Sequence, residues 1–186
     1  IEYTAMPYRL LFVAAMALIV GGVITLGAFA SEPATREASA SRSPVFGVTL
    51  PEGYRNWQTI SVAHEAGNNN DIRVILGNDV AMKAFRAGQV PYPDGTIIAR
   101  LAWKYESSAR NNAIFGRDQS FVAGEPTNVQ ISVKDSKRFP DTDGWGYAQF
   151  ENDGTANQSV ALVNACYACH KKLPAGSDLV FSSYSN

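Results

Sequence analysis

TIIARLAWKY, residues Thr96–Tyr105, alternates between two kinds of side chain with the period of two that is typical of a β-strand. One face is apolar throughout and carries Ile97, Ala99, Leu101 and Trp103. The other face places two cations among small or aliphatic residues and carries Ile98, Arg100, Ala102 and Lys104. The pattern predicts a strand with core on one side and a partly enclosed polar surface on the other.

Four further segments are rich in β-branched and aromatic residues and lie between turn signals, which predicts four more strands. They are Thr59–Ala63, Asp71–Leu76, Val129–Lys134 and Gly146–Phe150. The chain is therefore expected to be rich in β-structure.

Two segments break this pattern and are predicted helices. Asn78 can cap a helix over Asp79–Ala87, and Gly88 follows as its stop signal. A second helix is expected near the C-terminal end, where apolar residues recur at the helical spacing i, i+3 and i+7. Its predicted buried stripe consists of Val160, Val163 and Tyr167.

This second helix leads into Cys166-Tyr167-Ala168-Cys169-His170, which has the form C-x-x-C-H and contains both cysteines of the chain. C-x-x-C-H is the attachment sequence of covalently bound c-type haem. Cys166 and Cys169 lie on one side of a helical turn and can each add to a haem vinyl group. His170 then becomes the proximal iron ligand. The sequence predicts one covalent haem c, with its iron bound by His170.

Two other interpretations of the motif remain, a redox C-x-x-C and half of a zinc site. Zinc would need more soft ligands, whereas the chain has a single further histidine, His64. A thioredoxin-like redox motif would stand near the start of a βαβ unit, and here the motif is near the C-terminal end.

The N-terminal segment favours export. An apolar run, Leu10–Ala30, follows Arg9 and ends in Ala28-Phe29-Ala30, the layout of a secretory signal peptide. The same run is long enough to serve as an uncleaved membrane anchor. Either interpretation places the domain in the periplasm, where bacterial c-type haem is attached, with membrane contact only through this segment. The predicted organisation is a leader or anchor over 1–30, a flexible linker over 31–44 and a domain over 45–186.

The charge balance is close to neutral, with 16 Lys and Arg against 17 Asp and Glu and a net charge of −1. A nucleic-acid-binding domain would show a basic face or stripe, so no nucleic acid partner is expected. No internal repeat is evident, which agrees with a single haem.

Beyond the haem motif, the order of several short motifs carries a resemblance. They are LPEGYRNW (Leu50–Trp57), DIRV (Asp71–Val74), DGT (Asp94–Thr96), SVKDSKRF (Ser132–Phe139), ACYACHKK (Ala165–Lys172) and DLVF (Asp178–Phe181). In this order the chain resembles the cytochrome P-460 family, which includes the cytochromes c′-beta. The resemblance implies an antiparallel fold, a homodimer, and an open distal iron site where small nitrogen oxides bind. The expected fold class is therefore mainly β (α+β), an antiparallel sheet with short helices and a C-terminal haem-attachment helix.

Two positions depart from the hydroxylamine-oxidising members that the chain resembles. Those members carry a lysine on the strand after DGT that forms an extra bond to the porphyrin, and Arg100 stands at that position here. A guanidinium keeps its proton and is a poor nucleophile. They also carry a distal carboxylate where this chain has Gln130, and an amide cannot act as a general base at neutral pH. Arg73 matches a family arginine near the pocket, so Arg73, Arg100 and Gln130 are the distal-pocket candidates.

These departures favour an exported cytochrome that binds a ligand of the nitric oxide type or exchanges electrons with a small redox protein. The alternative is a hydroxylamine-oxidising enzyme that passes electrons to such a partner. Lys104 would replace the cross-linking lysine only in a different strand register. His64 and Met82 are the remaining candidates for a sixth iron ligand, although a solvated histidine and a core methionine are the ordinary expectations.

Overall fold

The computed structural model describes residues 41–185, and the strands in this part of the chain form one five-stranded antiparallel sheet. The strands are β1 (Gln58–Glu65), β2 (Asp71–Gly77), β3 (Ile97–Ser107), β4 (Phe121–Lys134) and β5 (Trp145–Phe150). The spatial order β1-β2-β3-β4-β5 is the sequence order, so every strand lies beside its neighbours in the chain. The predicted mainly β, antiparallel fold is confirmed, and each predicted strand is present.

Strand β4 begins at Phe121, well before the predicted start at Val129. Its first half contains Gly124 and Pro126, which interrupt a strand pattern in sequence. Pro126 is tolerated because it lies opposite Trp103 beside a register shift, and β5 pairs with β4 only from Val129 onward. The proline therefore lies where one side of the strand has no ladder to complete.

Three α-helices accompany the sheet: α1 (Asp79–Ala87), α2 (Ala109–Phe115) and α3 (Val160–His170). Helix α1 has the predicted bounds, with Asn78 Oδ1 accepting from the Ala81 N–H at 3.0 Å and Gly88 at φ +59°. Helix α2 was not predicted. It is a short helix of about two turns between β3 and β4, and the chain there is held by buried Asn112 rather than by an apolar stripe. Single-turn 3-10 helices span Tyr54–Asn56 and Pro140–Thr142.

Apolar side chains pack on both faces of the sheet. On the face that we call outer, the β3 residues Ala99 and Leu101 are buried, with Ile97 and Trp103 packed at the edge of the same cluster. This is the apolar face predicted for β3. On the face that we call inner, Ile98 belongs to a second cluster, against which Cys166 and Tyr167 of α3 pack. The haem-attachment motif therefore lies over the inner face.

Helix α3 corrects the predicted buried stripe at one position. Val163 is fully buried and Tyr167 is partly buried, but Val160 is 53% exposed. Val160 is the first residue of the helix, immediately after its Ser159 cap, and only the following turns reach the sheet. The helical spacing was correct, whereas the start of the packed face was placed one turn too early.

The folded domain includes residues that precede the predicted boundary at residue 45. Arg42 forms an antiparallel bridge with Thr49, and Ser43 is buried and donates its hydroxyl to the Tyr147 carbonyl at 3.3 Å. The predicted leader or anchor over 1–30 and most of the predicted linker lie outside the described residues. Within residues 41–185, no helix is long and apolar enough to cross a membrane.

Candidate functional site

Both cysteines lie in the last turns of α3, a helix that starts at a conventional cap where Ser159 Oγ accepts from the Leu162 N–H at 3.2 Å. Cys166 is half-buried, and its Sγ is 3.5 Å from the Leu162 carbonyl. Burial raises the pKa of the Cys166 thiol. Cys169 is exposed, and both thiols are free. One thiol therefore faces the sheet and the other faces solvent.

His170 ends the helix and is held by three contacts. Its Nδ1 lies 2.6 Å from the Leu179 carbonyl oxygen. Its ring centroid is 4.8 Å from that of Tyr147 and 4.9 Å from that of Phe181. Burial lowers the pKa of His170, and the Leu179 hydrogen bond opposes that effect. Because Nδ1 donates to a carbonyl, Nε2 is the nitrogen left to bind a metal.

The strand register shows where the predicted distal residues lie relative to His170. Ile98, Ser132 and Tyr147 are aligned across β3, β4 and β5, and Tyr147 contacts the His170 ring. The next row on the same face, two residues along each strand, consists of Arg100, Gln130 and Gln149. Two residues span about 7 Å of a strand, so this polar row lies about 7 Å from the row whose Tyr147 contacts the His170 ring.

Arg73 joins the same face from β2, where it pairs with Ala102. The structure therefore brings the three predicted candidates Arg73, Arg100 and Gln130 onto one face, next to the row that supports His170. Their roles toward a ligand stay predictions.

The two arginines share Asp71, whose side chain is 4% exposed. Arg73 Nε donates to Asp71 Oδ1 at 2.7 Å, and an Arg100 terminal nitrogen donates to Asp71 Oδ2 at 2.7 Å. Arg73 also forms an ion pair with Glu65. Both carboxylate oxygens of Asp71 are therefore engaged by charge-assisted bonds from guanidinium groups.

Arg100 has a second partner, because its other terminal nitrogen donates to Asn128 Oδ1 at 2.9 Å. Burial and the charge of Arg73 lower the pKa of Arg100, while Asp71 and Glu65 raise it. The side chain remains a cation at any ordinary pH. Its position is thus fixed by an ion pair on one side and an amide on the other.

Gln130 donates its side-chain amide to Gln149 Oε1 at 2.9 Å. This pair closes the polar row toward β5. Gln149 was not singled out from the sequence, because a single glutamine in a short strand carries no signal of its partner.

The residues present fit a covalently bound haem. The Cys166 thiol and an imidazole with a free Nε2 lie over the inner face, and the exposed Cys169 thiol lies three residues further along the same helix, so the donor set of haem c attachment is present. Two buried polar atoms on this face, Arg100 Nε and the Tyr147 hydroxyl, have no hydrogen-bond partner among the described residues. Such atoms are ordinarily satisfied, so their presence here fits a bound group with acceptor atoms.

The other residues considered from the sequence lie in ordinary environments. His64 is exposed, bonds Asn70 Oδ1 at 3.3 Å and stacks on Tyr105 at 3.9 Å between ring centroids. Met82 is buried within α1. Lys104 is 58% exposed and bonds Glu125 at 2.9 Å. Within residues 41–185, no three His, Cys, Asp or Glu side chains are grouped as metal ligands, as the zinc interpretation of the motif would require.

A family model described as Cytochrome P460 matches residues 51–182, which is most of the described domain. A search of curated proteins finds no match to the chain.

Proposed function

Because the chain belongs to the cytochrome P-460 family and is therefore a haem c cytochrome, we propose that it binds a small ligand of the nitric oxide type at the haem iron, transfers electrons, or does both. Cys166 and Cys169 would hold the haem through thioether bonds, and His170 would bind the iron through Nε2. A bound haem would supply a redox-active iron to which a small ligand can bind. The protein supplies attachment, the proximal imidazole and the polar row of the inner face.

The observation that carries this proposal is the state of Arg100. It stands where the resemblance places the cross-linking lysine of the oxidising members, and it is fixed by Asp71 and Asn128. A guanidinium held in this way has no free nucleophilic lone pair. The neighbouring Gln130 is an amide bonded to Gln149. The face therefore offers hydrogen-bond donors for a bound ligand, and the carboxylate beside Arg100, Asp71, is paired with two arginines.

The same arrangement disfavours hydroxylamine oxidation, which needs a group that accepts protons from the substrate. Oxidation remains the alternative function if a base reaches the iron from elsewhere. The two functions differ in a covalent feature, the number of protein bonds to the porphyrin.

Peptide mass mapping of the purified holoprotein tests the proposal. We expect one haem-linked peptide, which contains Cys166–His170, and an optical spectrum that changes on addition of nitric oxide. Hydroxylamine turnover with an artificial electron acceptor should be at the level of free haem c. A second haem-linked peptide spanning residues 96–104, together with turnover, would contradict the proposal and favour the enzyme.

The setting of this activity follows from the sequence and the resemblance. We propose that the domain works in the periplasm, as a homodimer, with a small redox protein as its electron partner. Export is supported by the N-terminal apolar run and by covalent haem attachment. The homodimer and the redox partner are supported by the family resemblance alone.

A further inference from the structure

The turn that accepts the His170 hydrogen bond is conformationally demanding. Asp178 has φ +46° and Leu179 has φ +61°, so two consecutive non-glycine residues occupy the left-handed region. That conformation is unfavourable for residues with a Cβ and persists only where other contacts hold it. The carbonyl of Leu179, inside this turn, is the one that lies 2.6 Å from His170 Nδ1.

Asp178 supplies the holding contacts through its side chain. Its Oδ1 accepts from Lys134 Nζ at 2.7 Å and from Trp145 Nε1 at 3.3 Å. Its Oδ2 accepts from the Tyr92 N–H at 2.8 Å. These donors come from β4, from β5 and from the loop after α1, so the turn is bonded to three separate parts of the domain.

Lys134 is the charged partner and the last residue of β4. Its Nζ also donates to the Asp143 carbonyl at 3.0 Å and lies 5.1 Å from the centre of the Trp145 ring. The side chains of Lys134 and Asp178 are only 9% and 11% exposed. A buried charge that loses its partner is strongly unfavourable, so each residue requires the other. Two motifs of the sequence, SVKDSKRF and DLVF, thus meet at a single buried ion pair.

We propose that Lys134 and Asp178 are positioning residues for His170, because their ion pair fixes the turn whose Leu179 carbonyl accepts the Nδ1 hydrogen bond. The inference rests on the proposed function, in which His170 binds the iron through Nε2. A hydrogen bond from Nδ1 makes the imidazole a stronger donor, which favours the oxidised iron. Loosening the turn weakens that bond and raises the reduction potential.

The experiment compares holoprotein variants Lys134→Met, Asp178→Asn and the double variant. Two quantities are measured, the iron–imidazole stretching frequency of the reduced protein by resonance Raman spectroscopy and the reduction potential by spectroelectrochemistry. Each single variant should lower the stretching frequency and raise the potential. The double variant should shift both no further than the larger single variant, because residues that act as one unit are not additive.

The matched control is Lys104→Met, which removes an exposed ion pair with Glu125 on the same sheet and should leave both quantities unchanged. Lys134→Arg keeps the charge and should stay close to the wild type. If Asp178→Asn fails to fold, Lys134→Met decides alone, because Asp178 then keeps its Trp145 and Tyr92 donors.

Measurements on the wild-type holoprotein distinguish a failure of the positioning role from a failure of the proposed function. A wild type with an iron–imidazole band, and variants whose frequency and potential equal its own, overturn the positioning role and leave the proposed function intact. A reduced wild type that is five-coordinate and high-spin by its optical spectrum but lacks such a band shows that His170 is not the iron ligand, and both assignments then fall.

Discussion

The side chain at position 100 distinguishes the proposed ligand binding or electron transfer from hydroxylamine oxidation. Its guanidinium bonds Asp71 and Asn128, and its Nε remains unpaired within the described residues. A lysine in its place would donate from one nitrogen instead of from a planar fork that reaches Asp71 and Asn128 with two, and it would carry a proton that burial helps to remove. The substitution therefore changes both the contacts and the chemistry of the inner face.

Arg100→Lys is expected to lower the free energy of unfolding by about 1–3 kcal/mol, because buried Asp71 loses part of its charge-assisted bonding. If strand β3 brings the amine to the porphyrin, a haem-linked peptide spanning residues 96–104 should appear with a red-shifted spectrum. Urea unfolding and peptide mass mapping measure the two effects.

Arg73→Lys serves as the control for Arg100→Lys. Arg73 also bonds Asp71 but lies on β2, outside the position of the cross-linking lysine, so its replacement should lower stability without adding a haem link. An additional haem link in Arg73→Lys would show that the assignment of Arg100 to that position is wrong.

At the scale of elements, the capping residues of α1 and α3 differ in how many hydrogen bonds they make. Ser159 caps α3 with one bond to Leu162. Asn78 caps α1, and its side chain also accepts from the Ile97 N–H at 3.1 Å and donates to the Gly95 carbonyl at 2.9 Å. Asn78 therefore joins the start of α1 to the start of β3, in addition to satisfying a helix end.

Asn78→Ala should cost more stability than Ser159→Ala for this reason. Loss of a simple cap costs about 1 kcal/mol, and loss of the two further bonds to Ile97 and Gly95 adds about 1 kcal/mol or more, so we expect roughly 2–3 kcal/mol for Asn78→Ala against about 1 kcal/mol for Ser159→Ala. Urea unfolding measures both losses, provided that the dependence of the free energy of unfolding on urea concentration is the same in the two variants. Equal losses would mean that the bonds to β3 contribute nothing.

The elements that were predicted from sequence are those whose signal is local. The alternation in Thr96–Tyr105 and the Asn78 and Gly88 boundaries of α1 each depend on residues a few positions apart, and the structure agrees with them. Helix α2 was not predicted because it is held by hydrogen bonds from the Gln119 and Ser120 N–H groups to Asn112 Oδ1. Such bonds leave no periodic pattern in the sequence.

The candidate site shows the same division. The C-x-x-C-H motif is contiguous, and the shared face of Arg73, Arg100 and Gln130 follows from strand register. The contact between Lys134 and Asp178 joins residues 44 positions apart, and no local rule relates them. The Leu179 carbonyl is a backbone group, which a side-chain pattern cannot reveal.

For the whole molecule, the sheet separates two kinds of core. The outer cluster, which includes Ile131, packs away from the haem motif, while the inner cluster, which includes Ile98, contacts Cys166 and Tyr167. Substitutions on the two faces should therefore differ in what they disturb, even when they remove the same atoms.

Ile131→Ala and Ile98→Ala test this separation with one chemical change. Both side chains are buried, so each variant should lose about 2–4 kcal/mol of stability. Only Ile98→Ala should also alter the haem absorption spectrum and the reduction potential. A spectral change of equal size in Ile131→Ala would show that the sheet does not insulate the site from the outer core.

The neighbour-to-neighbour order of the strands also has a consequence for biogenesis. Every ladder joins adjacent strands, so most of the sheet can form through contacts of short sequence separation, which favours rapid folding. Helix α3 follows the last strand, and its Cys169 thiol stays exposed while Cys166 turns inward. We therefore expect the sheet to fold before haem is attached. Haem would then be added at the surface of a folded sheet, and it would have to reach the half-buried Cys166 thiol before that thiol packs against the sheet.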